Sequence, residues 1–253
     1  MHEPVATSGV AFDLDDVPLA HHFDTPEQQH QSAVLGMWAF LATEVMFFGG
    51  ALTAYAVYRT LYPNEFAAAS QQLSPALGAF NTVILLGSSL SVALAVRSSQ
   101  LRQRRETVAL LLITMVLGVA FLGIKAYEWS TEFSHHLAPG ASFHYEPTGE
   151  HGGGGQAPVK MTVTDLSAVG AHALDANKVQ MFFVFYFFLT GLHGFHMIIG
   201  LVILGLLASM IARRKLPATG ERPVEITGLY WHFVDVVWVF LYPLLYLIEV
   251  VHP

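Results

Sequence analysis

The sequence predicts an all-α polytopic membrane protein, a bundle of five transmembrane helices. Three observations lead there. Only 12% of its 253 residues are charged while 53% are hydrophobic, whereas an ordinary soluble domain has about 25% charged residues. Five apolar runs are long enough to cross a bilayer, which takes about 20 residues in a helix. The Lys and Arg residues between the runs are unevenly shared, in the pattern that orients membrane proteins.

The first run, 33–58, contains one charge-capable residue, Glu44, near its middle. A carboxyl at mid-depth costs roughly 2.5–3.5 kcal/mol on insertion scales, so such a residue has a partner or a task. Residues Met1 to His30 contain no Lys or Arg and no apolar core. Segment 1–32 is therefore expected to be a mobile N-terminal cytoplasmic arm rather than a signal peptide. The second run, 76–96, is uncharged and follows Ser74-Pro75, an N-cap with proline in the first turn.

The third run, 107–129, closes on Lys125, Tyr127, Glu128 and Trp129. The aromatics suit a headgroup-level belt, and Lys125 is expected to snorkel outward along its stem. The fourth, 179–212, has 34 uncharged residues. At about 1.5 Å per residue it exceeds the hydrocarbon thickness, so a tilt or a protruding end is expected. Its aromatic run Phe182, Phe183, Phe185, Tyr186, Phe187, Phe188 reads as lipid-facing and packing surface. The fifth, 226–250, carries Asp235 at mid-span and Pro243, which is expected to kink it.

Arg97, Arg102, Arg104 and Arg105 follow the second run, and Arg213, Arg214, Lys215 and Arg222 follow the fourth. The other side holds Arg59, Lys125, Lys160 and Lys178. Eight basic residues in short connections against four place the N-terminus in the cytoplasm and the C-terminus on the outer face. The long connection 130–178 is then an outer loop. It holds four consecutive glycines, Gly152 to Gly155, and scattered His135, His136, His144, His151 and His172. No two of these histidines have a convincing metal-ligand spacing with a carboxylate, so a flexible loop is the reading.

Composition excludes several functions. The absence of cysteine removes disulfides, thiolate metal sites, iron–sulfur clusters and C-x-x-C-H haem attachment. A net charge of −7 argues against nucleic acid as a partner.

The polar residues within the runs are Glu44, Asn81, Lys125, Glu128, His193, His196, His232 and Asp235. His193/His196 and His232/Asp235 are each three residues apart, so each pair shares a helix face. Small residues mark close packing: Gly87, Ser91 and Ala95 recur every four, and Gly191 and Gly194 bracket His193. The polar groups are expected to pair with one another inside the bundle. The histidines read as hydrogen-bonding residues at helix contacts rather than haem or copper ligands. His232 with Asp235 resembles an oriented imidazole, but no Ser or Cys nucleophile stands near in sequence. Glu44 reads either as a structural hydrogen-bonder or as part of a proton or lipid site.

These residues sit in stretches that resemble subunit III of haem–copper terminal oxidases. The first is Gly36-Met37-Trp38-Ala39-Phe40-Leu41-Ala42-Thr43-Glu44-Val45-Met46-Phe47-Phe48-Gly49-Gly50. In order there follow Asn81-Thr82-Val83-Ile84-Leu85-Leu86-Gly87-Ser88-Ser89, Lys125-Ala126-Tyr127-Glu128-Trp129 and Thr190-Gly191-Leu192-His193-Gly194-Phe195-His196. The fifth run carries Tyr230-Trp231-His232-Phe233-Val234-Asp235-Val236-Val237-Trp238-Val239-Phe240-Leu241-Tyr242, preceded by Glu225. The resemblance covers all five runs and implies a five-helix form of a fold that often has seven.

It further implies a non-redox accessory subunit of a bacterial inner-membrane oxidase that reduces O2 to water and pumps protons. Such a chain packs beside subunit I, with subunit II in the same complex. It binds structural phospholipid and leaves haem and copper to its partners. Glu44 falls on the family's intramembrane glutamate. Glu128, His193, His196, Glu225, His232 and Asp235 fall on its other motif positions. Cytochrome c is the expected electron donor, with a quinol oxidase or a nitric oxide reductase as alternative settings. A stand-alone proton-coupled transporter would also explain the buried polar residues, but no internal repeat is detectable.

Overall fold

A computed structural model describes residues 23–135, 137–140, 143, 175–213 and 221–248. These residues form six helices and no strand. They are α1 (Pro26–Leu61), α2 (Pro63–Ser70), α3 (Pro75–Gln100), α4 (Arg104–Ser134), α5 (Ala176–Ala212) and α6 (Glu221–Tyr246). All except α2 are long and apolar enough to cross a membrane.

The helix ends follow local chemistry. The Thr25 hydroxyl accepts from the Gln28 N–H at 3.1 Å, Pro26 opens α1, and Glu27 occupies the first turn. The helix therefore starts seven residues before position 33, and 26–32 are part of it rather than of an arm; the Thr-Pro-Glu signal was present in the sequence. Residues 1–22 lie outside the described residues. Ser74 and Pro75 open α3 as expected, the hydroxyl accepting from the Leu77 N–H.

At the other end of α3 the chain turns sharply through Arg102, whose φ of 58° is left-handed. The Arg102 N–H donates to the Ser99 carbonyl at 2.9 Å, and the Gln103 N–H to the Ser98 carbonyl at 2.9 Å. This is a Schellman closure with arginine where glycine is the usual residue. It places α4 directly back against α3.

Other helices also overrun their expected limits. Helix α4 continues through Ser134, into the segment read as outer loop, and α6 begins at Glu221. Most of 130–178, including His136, His144, His151 and His172, lies outside the described residues. Helix α6 runs through Pro243 and ends at Tyr246, so the proline acts within the last turn.

Helices α3, α4, α5 and α6 form a closed ring, each packed on the next and α6 on α3. Helix α1 lies outside it against α5 and α6, and α2 packs on α5. Only 11% of the apolar window of α1 is buried within the chain, against 50% for α6. Leu35, Trp38, Val45, Met46 and Phe47 of α1 are exposed.

Two glycines set the spacing of the ring. A Cβ at Gly118 would meet the Trp231 ring at 2.9 Å, and one at Gly200 would meet the same ring at 2.9 Å. Trp231 is thereby wedged between α4 and α5, its indole N–H donating to the Ser88 hydroxyl of α3 at 3.1 Å. The Ser91 and Thr114 hydroxyls join α3 to α4 at 2.6 Å.

The aromatic run of α5 is core rather than lipid surface for its larger part. Phe182, Phe183 and Tyr186 are fully buried, whereas Phe188 is exposed. Phe182 packs edge-on against Phe66 of α2 at 5.6 Å, so the short helix covers what an isolated fourth span would leave to lipid. The same region closes the end of α6. A helix leaves its last four carbonyls without intrahelical donors, and lipid supplies none. The Tyr55 hydroxyl of α1 donates to the Leu244 carbonyl, and the Ser70 hydroxyl of α2 to the Leu245 carbonyl at 2.8 Å.

Candidate functional site

Three polar groups lie within the spans. The first joins α1 to the ring. The Oε2 of Glu44 lies 3.1 Å from Nε2 of His196, while Nδ1 of His196 lies 2.9 Å from the Leu192 carbonyl. A carbonyl only accepts, so Nδ1 carries a proton and donates. The Nε2–Oε2 contact then requires a proton between the two: a carboxylic acid on a neutral imidazole, or a carboxylate on an imidazolium. The pair therefore holds one shared proton in either state. Phe48 flanks the imidazole at 5.3 Å, and the Tyr230 hydroxyl donates to the His196 carbonyl at 3.0 Å.

The second group lies towards the end where α6 stops. Lys125 is buried and donates all three of its hydrogens: to Glu128 Oε2 at 2.9 Å, the Tyr246 oxygen at 2.7 Å and the Tyr186 oxygen at 3.2 Å. The Tyr246 hydroxyl donates to Glu128 Oε1 at 2.7 Å. The ammonium also faces the Trp238 ring, 5.3 Å from its centroid. Lys125 therefore does not snorkel. A carboxylate one helical turn away and two phenols satisfy it inside, which is what a buried ion pair needs to persist. Glu132, one turn beyond Glu128, is buried with its Oε2 unpartnered.

The third group is on the inner faces of α3, α5 and α6. His232 pairs through Nδ1 with the Ser89 hydroxyl at 2.7 Å, and not with Asp235. The Ser89 hydroxyl also stands beside the Asp235 carboxyl, whose oxygens have no other protein partner. His193 is enclosed by Phe121, with ring centroids 5.4 Å apart, and Trp238, at 5.2 Å. Both of its ring nitrogens, and both polar atoms of Asn81, are unpartnered.

The expectation that buried polar residues pair thus holds for Glu44, Lys125, Glu128, His196 and His232, fails for Asn81 and His193, and leaves Asp235 with the Ser89 hydroxyl alone beside it. Glu225 stands half-buried near the start of α6, apart from all three groups. Sequence reading missed Ser89, Tyr186, Tyr246 and Glu132. Tyr186 was hidden within an apolar aromatic run. Glu132 fell in a segment taken for loop, although it follows Lys125 and Glu128 at helical spacing.

A five-span helical bundle with ion pairs enclosed between its helices is an integral membrane protein, and its motifs can be set against known families. The family model described as cytochrome c oxidase subunit III matches residues 21–154 and 175–250, covering every span. The chain belongs to the cytochrome c oxidase subunit III family, within the haem–copper oxidases. Similar proteins include the probable quinol oxidase subunit 3 of Staphylococcus epidermidis, 28% identical over 92% of this chain and 97% of the relative. Those of Staphylococcus aureus and Staphylococcus saprophyticus are 27% and 26% identical, over 86% and 92% of this chain and 90% and 98% of the respective relatives.

Proposed function

We propose that the chain is the non-redox accessory subunit III of a respiratory oxidase that reduces O2 to water and pumps protons in a bacterial inner membrane. It packs against subunit I, in a complex with subunit II, and stabilises the catalytic subunit while supporting proton uptake. Haem and copper reside in those partners, and structural phospholipid lies along the outward apolar faces.

The observation that carries this reading is the use made of the intramembrane histidines. His196 is committed to Glu44 and the Leu192 carbonyl, His232 to Ser89, and His193 is sealed between two aromatic rings. Hydrogen bonds that commit His196 and His232 to helix contacts support a structural use of these histidines over a haem or dinuclear metal centre.

On the electron donor, the family description supports cytochrome c. The names of the staphylococcal relatives support a quinol. Turnover of the purified complex with ferrocytochrome c and, separately, with a reduced quinol decides between them. Deleting this chain tests the accessory role. The remaining oxidase is expected to keep its haem spectrum while losing activity sooner during turnover. Loss of the haem spectrum from an otherwise assembled remainder would contradict a non-redox role.

A further inference from the structure

Three residues with unpartnered buried atoms, Asn81, His193 and Asp235, stand on three neighbouring helices of the ring, α3, α5 and α6. Asn81, His193 and Asp235 are 0%, 1% and 4% exposed, and none of the four side-chain nitrogen and oxygen atoms of Asn81 and His193 meets a protein partner. Buried polar groups in folded proteins are overwhelmingly hydrogen-bonded. Atoms this enclosed cannot be reached by a lipid headgroup or by a partner subunit packed on the outside. Asp235 has the Ser89 hydroxyl beside it, but for Asn81 and His193 the remaining partner is a small molecule held within the ring.

Their placement is ordered along α6. At mid-span His232 meets Ser89 at 2.7 Å. Asp235 comes one turn later, and Trp238 one turn after that. The Trp238 indole N–H donates to Thr82 at 3.2 Å, the residue that follows Asn81 in sequence. The Trp238 ring lies 5.2 Å from the His193 ring and 5.3 Å from the Lys125 ammonium. The orphaned atoms thus fall between two satisfied clusters, Ser89–His232 and Lys125–Glu128.

The chemistry of the three residues selects the occupant. Asn81 offers both donors and acceptors, a neutral His193 one of each, and Asp235 acceptors, joined by a donor when its carboxyl is protonated. A metal ion cannot use the donors, an anion cannot use the acceptors, and among the described residues no group of three metal-ligating side chains exists. Water, which donates two bonds and accepts two, meets every requirement.

We propose that the centre of the four-helix ring binds a file of ordered water molecules. These waters are hydrogen-bonded to Asn81, His193 and Asp235 and connect the Ser89–His232 pair to the Lys125–Glu128 cluster. The file is separate from the Glu44–His196 pair, which lies on the α1 side of the ring. This inference concerns the interior of the bundle and does not rest on the identity of the electron donor or of the partner subunits.

X-ray radiolytic labelling of the native membrane complex tests it, because hydroxyl radicals made from bound water oxidise adjacent aromatic rings even where bulk water is excluded. Trp231 and Trp238 are both 0% exposed, yet Trp231 is wedged between two glycines with its N–H bonded to Ser88, while Trp238 borders the file. Trp238 is expected to oxidise several-fold faster than Trp231, and cryo-electron microscopy of the same complex to show water density within hydrogen-bonding distance of Asn81, His193 and Asp235. In an Asn81→Leu complex the Trp238 rate is expected to fall towards that of Trp231. Equal, low rates for the two tryptophans in the unaltered complex would overturn the inference. So would a map in which the three side chains pair directly with one another.

Discussion

At the scale of single residues, the decisive feature is how each buried charge is neutralised. Lys125 and Glu128 neutralise each other beneath two tyrosine hydroxyls. Removing one partner strands a charge in the interior, a change that costs about 3–5 kcal/mol. Lys125→Met is therefore expected to lower the thermal midpoint of the purified complex sharply, and Lys125→Met with Glu128→Gln to recover much of the loss. If the double variant is no more stable than the single one, the ion pair is not what holds this cluster.

The Glu44–His196 contact is milder, since hydrogen bonds between membrane helices are worth about 0.6–1.7 kcal/mol. A glutamine at 44 can still donate to Nε2, so Glu44→Gln is expected to keep α1 docked. Glu44→Leu removes the bond, and its cost should largely vanish in a His196→Phe background. A double-mutant cycle on detergent stability reads this coupling directly. Sequence alone identified Glu44 as needing a partner but not which histidine, because choosing between His193 and His196 depends on how α1 lies across α5. It also placed Lys125 at the membrane surface. The basis for its burial is two tyrosines 61 and 121 residues away, a contact that no local pattern announces.

At the scale of helices, apolar run length located every span and Ser74-Pro75 marked one opening, while the overruns at α1, α4 and α6 lie at ends that mix polar and charged residues. Packing was less legible. Gly191 was noticed for its nearness to His193, yet closer approaches are made by Gly78 to Tyr242 and by Gly118 and Gly200 on either side of Trp231. Reading that from sequence requires knowing which tryptophan enters which groove. An added methyl at Gly118 or Gly200 must displace the indole, and overpacking of this kind costs about 1–3 kcal/mol. Gly118→Ala and Gly200→Ala are each expected to lower the thermal midpoint of the complex. Gly36→Ala, where a Cβ meets nothing within 4 Å, should not lower it.

The α3–α4 turn predicts the opposite sign. Arg102 occupies a left-handed conformation that costs a residue bearing a Cβ about 1–2 kcal/mol. Arg102→Gly is therefore expected to leave stability unchanged or to raise it. A clear drop in the thermal midpoint would mean that the guanidinium contributes more than its backbone conformation costs.

At the scale of the whole molecule, four helices form a self-sufficient ring with α1 laid against one side. The apolar face of α1 is mostly uncovered, so this helix is fastened by specific contacts rather than by area. One is the shared proton of Glu44 and His196; the other is the Tyr55 hydroxyl on the α6 carbonyl end. Such a chain is suited to standing beside a larger integral partner, which agrees with its membership in an oxidase subunit family.

The central claim is that this bundle serves a redox enzyme without carrying a redox centre. Its most direct test is to tag the chain, extract it in mild detergent and record the reduced-minus-oxidised optical spectrum of what elutes, before and after separating the subunits. The account predicts haem bands in the intact eluate that depart with a larger partner and leave this chain colourless. A haem-free eluate containing this chain alone, or haem retained on the separated chain, would contradict it.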